Sequence, residues 1–125
     1  MDAAADLDRH RYLSLATFRA NGTAVATPMW FIALDGRLYI GTLAESGKVK
    51  RLRRSSRARI ALCDARGRLR GEWRDVTARL VDDAALAARA EAALRRKYGW
   101  QKALLNLLAR LRGRRHRRAH IEIEL

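Results

Sequence analysis

The chain predicts a mainly β fold, a small antiparallel barrel with helical insertions. Three features carry that expectation. Apolar segments with strand character are separated by the turn signals Asn21-Gly22 and Asp35-Gly36; the C-terminal Ala119-His120-Ile121-Glu122-Ile123-Glu124-Leu125 alternates strictly; and helical periodicity is confined to one short segment and one late block. Strand, strand, strand, short helix, strand, strand, helices, strand is the order of such a barrel. At 125 residues there is room for one domain, residues 1–125, and a modest core.

Tyr12 to Phe18 opens the β pattern, and Asn21-Gly22 turns it into a hairpin. Thr23 to Leu34 continues as one long strand interrupted by Pro28, which cannot donate to a ladder and so marks an edge, a bulge or a ligand-facing stretch. Asp35-Gly36 leads into Arg37 to Gly41, where Leu38 and Ile40 share a face. Ser46 to Arg54 reads as a short helix with Val49 and Leu52 inward and Lys48 and Arg51 on a neighbouring face. Arg59 to Asp64 is a strand, Ala65-Arg66-Gly67-Arg68 a turn, and Leu69 to Val81 a long strand containing Trp73. Asp82 or Asp83 caps a helix with Leu86, Ala90, Leu94 and Tyr98 at four-residue spacing, ending near Gly99. A second helix carries Leu104, Leu105, Leu107, Leu108 and Leu111, a basic loop spans Arg112 to Arg118, and the closing strand sets His120 on its polar face.

The segment Thr42 to Leu52 concentrates the chemistry. A hydroxyl, a glycine and a lysine (Ser46-Gly47-Lys48) stand where a helix begins, and a helix N-terminus offers unpaired N–H groups and partial positive charge to an anion. Ser46 can cap the helix and also meet the ligand. A P-loop is excluded: Gly41 and Gly47 are one residue too far apart, and Val49 replaces the metal-binding hydroxyl.

The formal charge of +14, from 27 Lys and Arg against 13 Asp and Glu, favours phosphates and polyanions. The lone Cys63 lies in an apolar run and reads as a buried structural thiol. Met1 to His10 has no signal-peptide pattern and no apolar run reaches the roughly 18 residues of a membrane span, so a cytoplasmic protein is expected. His10, His116 and His120 are scattered, with no metal spacing and no catalytic triad. The tryptophans Trp30, Trp73 and Trp100 read first as packing residues.

Ala26-Thr27-Pro28-Met29-Trp30-Phe31, Leu38-Tyr39-Ile40-Gly41-Thr42, Ser46-Gly47-Lys48, Leu52 and Ser56 to Leu62 resemble, in order and spacing, the flavin-binding split-barrel proteins related to pyridoxamine 5′-phosphate oxidase. More narrowly, Ser46 to Leu52, Asp64 to Arg68 and Arg96-Lys97-Tyr98-Gly99-Trp100 resemble the short deazaflavin-dependent branch, which uses coenzyme F420. The resemblance covers nearly the whole chain beyond the first ten residues. It implies a ring-contacting strand from Thr27 to Ile32, with Thr27, Pro28, Met29 and Trp30 against the cofactor, and Thr42, Ser46, Gly47 and Lys48 at its phosphate, with Arg51 beside them.

Two departures bear on the cofactor. Thr27 and Gly47 occupy positions where flavin-binding members usually carry basic residues, which favours F420, with its phosphodiester and polyglutamate tail, over FMN. Arg53, Arg54, Arg112, Arg114 and Arg115 are candidates to attract such a tail. The implied activity is hydride transfer between reduced deazaflavin and a small organic substrate; the cofactor carries the chemistry and no catalytic side chain is assigned. The resemblance also implies a homodimer with cofactor at the interface. Two other classes compete: a nucleic-acid-binding module, supported by charge but lacking aromatics interleaved with the basic run, and a cofactor carrier without turnover.

Overall fold

A computed structural model describes residues 3–111 and 117–125, apart from the side chains at 106, 109 and 110. A seven-stranded, wholly antiparallel sheet of order β2-β1-β5-β6-β7-β4-β3 curls into a half-barrel. The strands are β1 (Leu13–Phe18), β2 (Ala24–Met29), β3 (Ile32–Leu34), β4 (Arg37–Leu43), β5 (Arg57–Leu62), β6 (Arg74–Leu80) and β7 (Arg118–Glu124). The helices are α1 (Ala3–Leu7), α2 (Gly47–Arg54), α3 (Ala84–Tyr98) and α4 (Trp100–Leu111). The first of these was not legible as a helix in the sequence.

Turn chemistry sets the hairpins. Asp35 and Gly36 both take positive φ (53° and 79°), the pairing that joins right-twisted strands most tightly. In the β1–β2 turn Gly22 has φ 88° and the Asn21 side chain accepts from Thr23 N–H at 3.0 Å. Pro28, opposite Ser14, is tolerated because β2 is an edge strand.

The concave side holds the main core: Leu13 and Leu15, Leu38 and Ile40, Ala58 and Ile60, Val76 and Ala78, and Ile121 and Ile123, closed by Phe31 and Leu52. The period of two along each strand delivers these residues to one face. The opposite face of β3 and β4 carries α3, whose Ala90, Ala93, Leu94 and Tyr98 pack on Ile32 and Tyr39. Asp83 is the cap of α3, accepting from the N–H groups of Ala85 (2.9 Å) and Leu86 (3.3 Å). Cys63 is buried, and burial raises its thiol pKa.

Two strands differ from expectation. Thr23 to Leu34 is not one strand but two, broken at Trp30-Phe31 rather than at Pro28. The cause is Tyr98. Its hydroxyl oxygen accepts from Phe31 N–H at 3.0 Å and lies 2.8 and 2.9 Å from the carbonyl oxygens of Arg11 and Phe31. With its backbone satisfied outside the ladder, Phe31 turns into the core, and Trp30 stacks on the Tyr98 ring with centroids 4.5 Å apart. Burial pushes the Tyr98 pKa up to about 12, so this anchor stays protonated. The second difference is that Leu69 to Trp73 stays outside β6, joined only by a bridge from Leu69 to Cys63. Gly71 and its polar neighbour interrupt any alternating apolar face there, and Trp73 is part-exposed. Trp100, 72% exposed, is not a packing residue at all.

His120 does lie on the outer face of β7, yet that face is covered and the residue is buried. It meets Glu91 of α3 at 3.1 Å. The same carboxylate has Lys102 of α4 at 3.1 Å, Arg95 at 3.6 Å and Arg118 at 3.7 Å. Gly41 lies beneath, because a Cβ there would come within 2.9 Å of Arg118 Nη2 and 3.5 Å of Glu91 Oε1. Hydrogen bonding from His120, and then the Lys102 and Arg118 charges, outweigh burial and hold the Glu91 pKa at about 2 instead of 4.5. Stability from this group is therefore complete above its ordinary value and disappears as pH falls toward 2. We expect Glu91→Gln to cost about 3 kcal/mol at neutral pH. In urea titrations followed by circular dichroism, its deficit should close as the pH is lowered through that window; a pH-independent deficit would contradict the assignment.

Candidate phosphate-binding site

Helix α2 starts where β4 leaves the sheet. Ser46 N–H donates to Leu43 O at 3.1 Å and Ala44 N–H to the Arg117 carbonyl at 2.8 Å, fixing the connection. Val49 and Leu52 are buried beneath the helix, as their spacing predicts. The first-turn N–H groups of any α-helix lack intrahelical acceptors, so the start of α2 has backbone donors to offer.

Ser46 occupies the N-cap position with extended backbone, but its side chain makes no capping bond. This corrects the capping role expected of it. Its Oγ is buried and without a hydrogen-bond partner among the described residues. A buried hydroxyl in that state costs about 1–3 kcal/mol, a cost that a ligand oxygen removes.

Gly47 leaves room for the Arg51 guanidinium: a Cβ there would lie 2.7 Å from Arg51 Nη1 and push that side chain aside. Arg51 folds back over the first turn and donates from Nε to Thr17 Oγ1 at 2.6 Å. Lys48 is half-buried, and burial first, then Arg51, lowers its pKa. The Arg51 pKa is lowered by burial and then by Arg19 and Arg54. The charges bearing on this pair are thus cations. Partly desolvated like charges beside a helix N-terminus are relieved by an anion, which would accept hydrogen bonds from both side chains and from the backbone.

Ser46, Gly47, Lys48 and Arg51 thus gather at the first turn of α2, while Thr42 is buried near the end of β4, opposite Ala119. The strand residues spread out instead. Thr27 pairs with Leu15 and Met29 with Leu13, so both share the inner face with these core residues. Pro28 faces outward toward Gly67, where an added Cβ would meet its ring at 3.8 Å, and Trp30 belongs to the α3 layer. Val25 pairs with Thr17, the residue holding Arg51, so Met29 lies four residues, about 13 Å, along the sheet from the cradle. A ligand with a phosphate at α2 and a flat ring along β2 spans that distance.

Thr17 is the residue that sequence reading missed. Its signal was parity: Leu13, Leu15 and Thr17 share the inward face of β1, and an inward hydroxyl among apolar neighbours needs a partner. Arg54 binds the Phe18 carbonyl at 3.2 Å and joins Arg19 and Arg57 around a cleft of about 370 Å³. Arg53 is exposed, while Arg112, Arg114 and Arg115 lie outside the described residues.

Gly47→Ala is the most selective perturbation of the cradle, since alanine favours the helix but displaces Arg51 from Thr17. The unfolding midpoint should stay or rise while phosphate affinity, by calorimetry, falls about tenfold. Unchanged affinity would place the anion elsewhere. In the parent protein, phosphate affinity should decline as pH rises through the lowered Lys48 value, sooner than an ordinary lysine of 10.5 would allow.

Residues 2–124 match the family model described as pyridoxamine 5′-phosphate oxidase. No curated protein matches the sequence detectably. Among solved structures, a conserved hypothetical protein from Mycobacterium tuberculosis superposes with a TM-score of 0.68 at 23% identity, covering 95% of this chain and 75% of the other. The heme storage protein HutZ from Vibrio cholerae gives 0.69 at 14% identity, covering 96% and 85%. An FAD-binding protein from Mesorhizobium loti gives 0.61 at 16% identity, covering 95% and 82%. At these identities the likeness establishes the fold. The half-barrel closed at one end by α2, together with the match over residues 2–124, makes this chain a member of the pyridoxamine 5′-phosphate oxidase family of split barrels.

Proposed function

We propose that this protein is an F420-dependent oxidoreductase, transferring a hydride between reduced deazaflavin and a small organic substrate. The observation that carries the reading is the cradle at the start of α2: the unpartnered Ser46 hydroxyl, Lys48 and Arg51. These groups fit a phosphate. Two cations, with Thr27 and Gly47 at the positions where flavin-binding relatives usually carry further basic residues, fit a phosphodiester better than the more highly charged terminal phosphate of FMN. The space a side chain at position 47 would need is taken by Arg51.

When bound, the deazaflavin supplies the hydride chemistry. The chain's residues bind and orient it. Ser46, Lys48, Arg51 and the first-turn amides of α2 would hold the phosphate, and Thr27 and Met29 on the inner face of β2 would flank the ring. The cleft between Arg19, Arg54 and Arg57 lies beside the α2 cations and suits a polycarboxylate tail. Two copies pairing about this region, each completing the other's pocket, form part of the proposal, since Thr27 and Met29 sit half-exposed on an edge strand.

Parallel fluorescence titrations with coenzyme F420 and with FMN, on the parent and on Lys48→Ala, test the reading. Selective deazaflavin binding, weakened about tenfold or more by the substitution, is the expected result. A preference for FMN would assign the protein to the flavin-using members, and binding of neither would remove the oxidoreductase reading.

A further inference from the structure

Helix α4 is amphipathic in the inverse sense. At 100° per residue, Trp100, Leu104, Leu107, Leu108 and Leu111 form one stripe, and all five are exposed. The polar Lys102 faces the body, 4% exposed against Glu91, and Gln101 accepts from Arg11 at 2.7 Å. The apolar side of this helix therefore looks away from the protein that carries it. An uninterrupted leucine stripe in water is unfavourable unless something covers it.

Charge identifies the cover. Between Glu91 and Glu122 the sequence contains no acidic residue and ten Lys or Arg. Of the described cations near α4 in the chain, Arg96 and Arg117 are exposed, as are Arg95 and Arg118, which reach Glu91. A second copy docked along the same stripe would bring together two chains of formal charge +14 each. It would also bury on the order of 400 Å² per copy, about half of what a stable interface takes. An anionic bilayer meets both demands, taking the leucines below the headgroups and the cations among them. No helix of the described residues is long and apolar enough to cross a membrane, so α4 would lie in the interface plane.

We propose that α4 docks this protein on anionic phospholipid surfaces. The proposal does not depend on the identity of the cofactor. The test is co-sedimentation of the full chain with vesicles of phosphatidylcholine alone, and of phosphatidylcholine mixed with phosphatidylglycerol. The parent is compared with Leu104→Gln/Leu108→Gln, with light scattering on the same samples. Both substituted positions are exposed, so folding should be retained, and circular dichroism checks that it is. Binding to the mixed vesicles at least about tenfold above the neutral ones, falling about tenfold in the double variant although its charge is unchanged, supports the proposal. Equal binding by the double variant would reduce the effect to bulk charge and overturn it. So would a parent that ignores vesicles, including one that self-associates through α4 and becomes monomeric in the variant.

Discussion

The alternation of β4 and β7 is the constraint on which the rest depends. Leu38 and Ile40 pair with Ile123 and Ile121 toward the barrel interior, while Tyr39 and Gly41 pair with Glu122 and His120 toward α3. Both faces of this ribbon are occupied. A slip of one residue would drive His120 and Glu122 into the apolar interior, so the register is heavily specified. From that register follow the seat of α3, the close approach at Gly41, and the point at which the chain leaves β4 to begin α2.

Two clusters of charge on this frame have opposite character. Around Glu91 a carboxylate is enclosed by His120, Lys102, Arg95 and Arg118, joining α3, α4 and β7. Every partner of that carboxylate lies within the fold, and its work is structural. At α2 the cations Lys48 and Arg51 stand beside a helix N-terminus and an unpartnered hydroxyl, with cations as their nearest charged influences. That cluster is open. An anion seated there, as proposed, would balance those charges, so the same overall basicity would serve stability in one place and binding in the other.

What the sequence revealed was local. Asp35-Gly36 specifies its turn through backbone conformation alone, and the spacing of Ala90, Leu94 and Tyr98 shows the buried side of α3 without further information. The candidate set Thr42, Ser46, Gly47, Lys48 and Arg51 could be named from the sequence because its members are close along the chain. The break at Trp30-Phe31 was not, because its cause, Tyr98, is 67 residues away from Phe31. Alternation put His120 on the correct face but could not show that α3 covers it. Ser46 illustrates a finer limit: residue type and position suggested a cap, whereas the direction of the side chain left its hydroxyl unbonded. Arg51 and Thr17 met only through the fold.

The central claim is that the start of α2 holds the phosphate of a flavin-like cofactor. It is tested most directly by amide chemical-shift mapping on isotope-labelled protein as coenzyme F420 is added, since the first-turn amides of α2 would become the donors to that phosphate. The account predicts large shifts at Gly47, Lys48 and Val49, with a second group along Thr27 to Met29. Shifts confined to α4 or the Arg112 to Arg118 run, with the α2 amides unmoved, would contradict it.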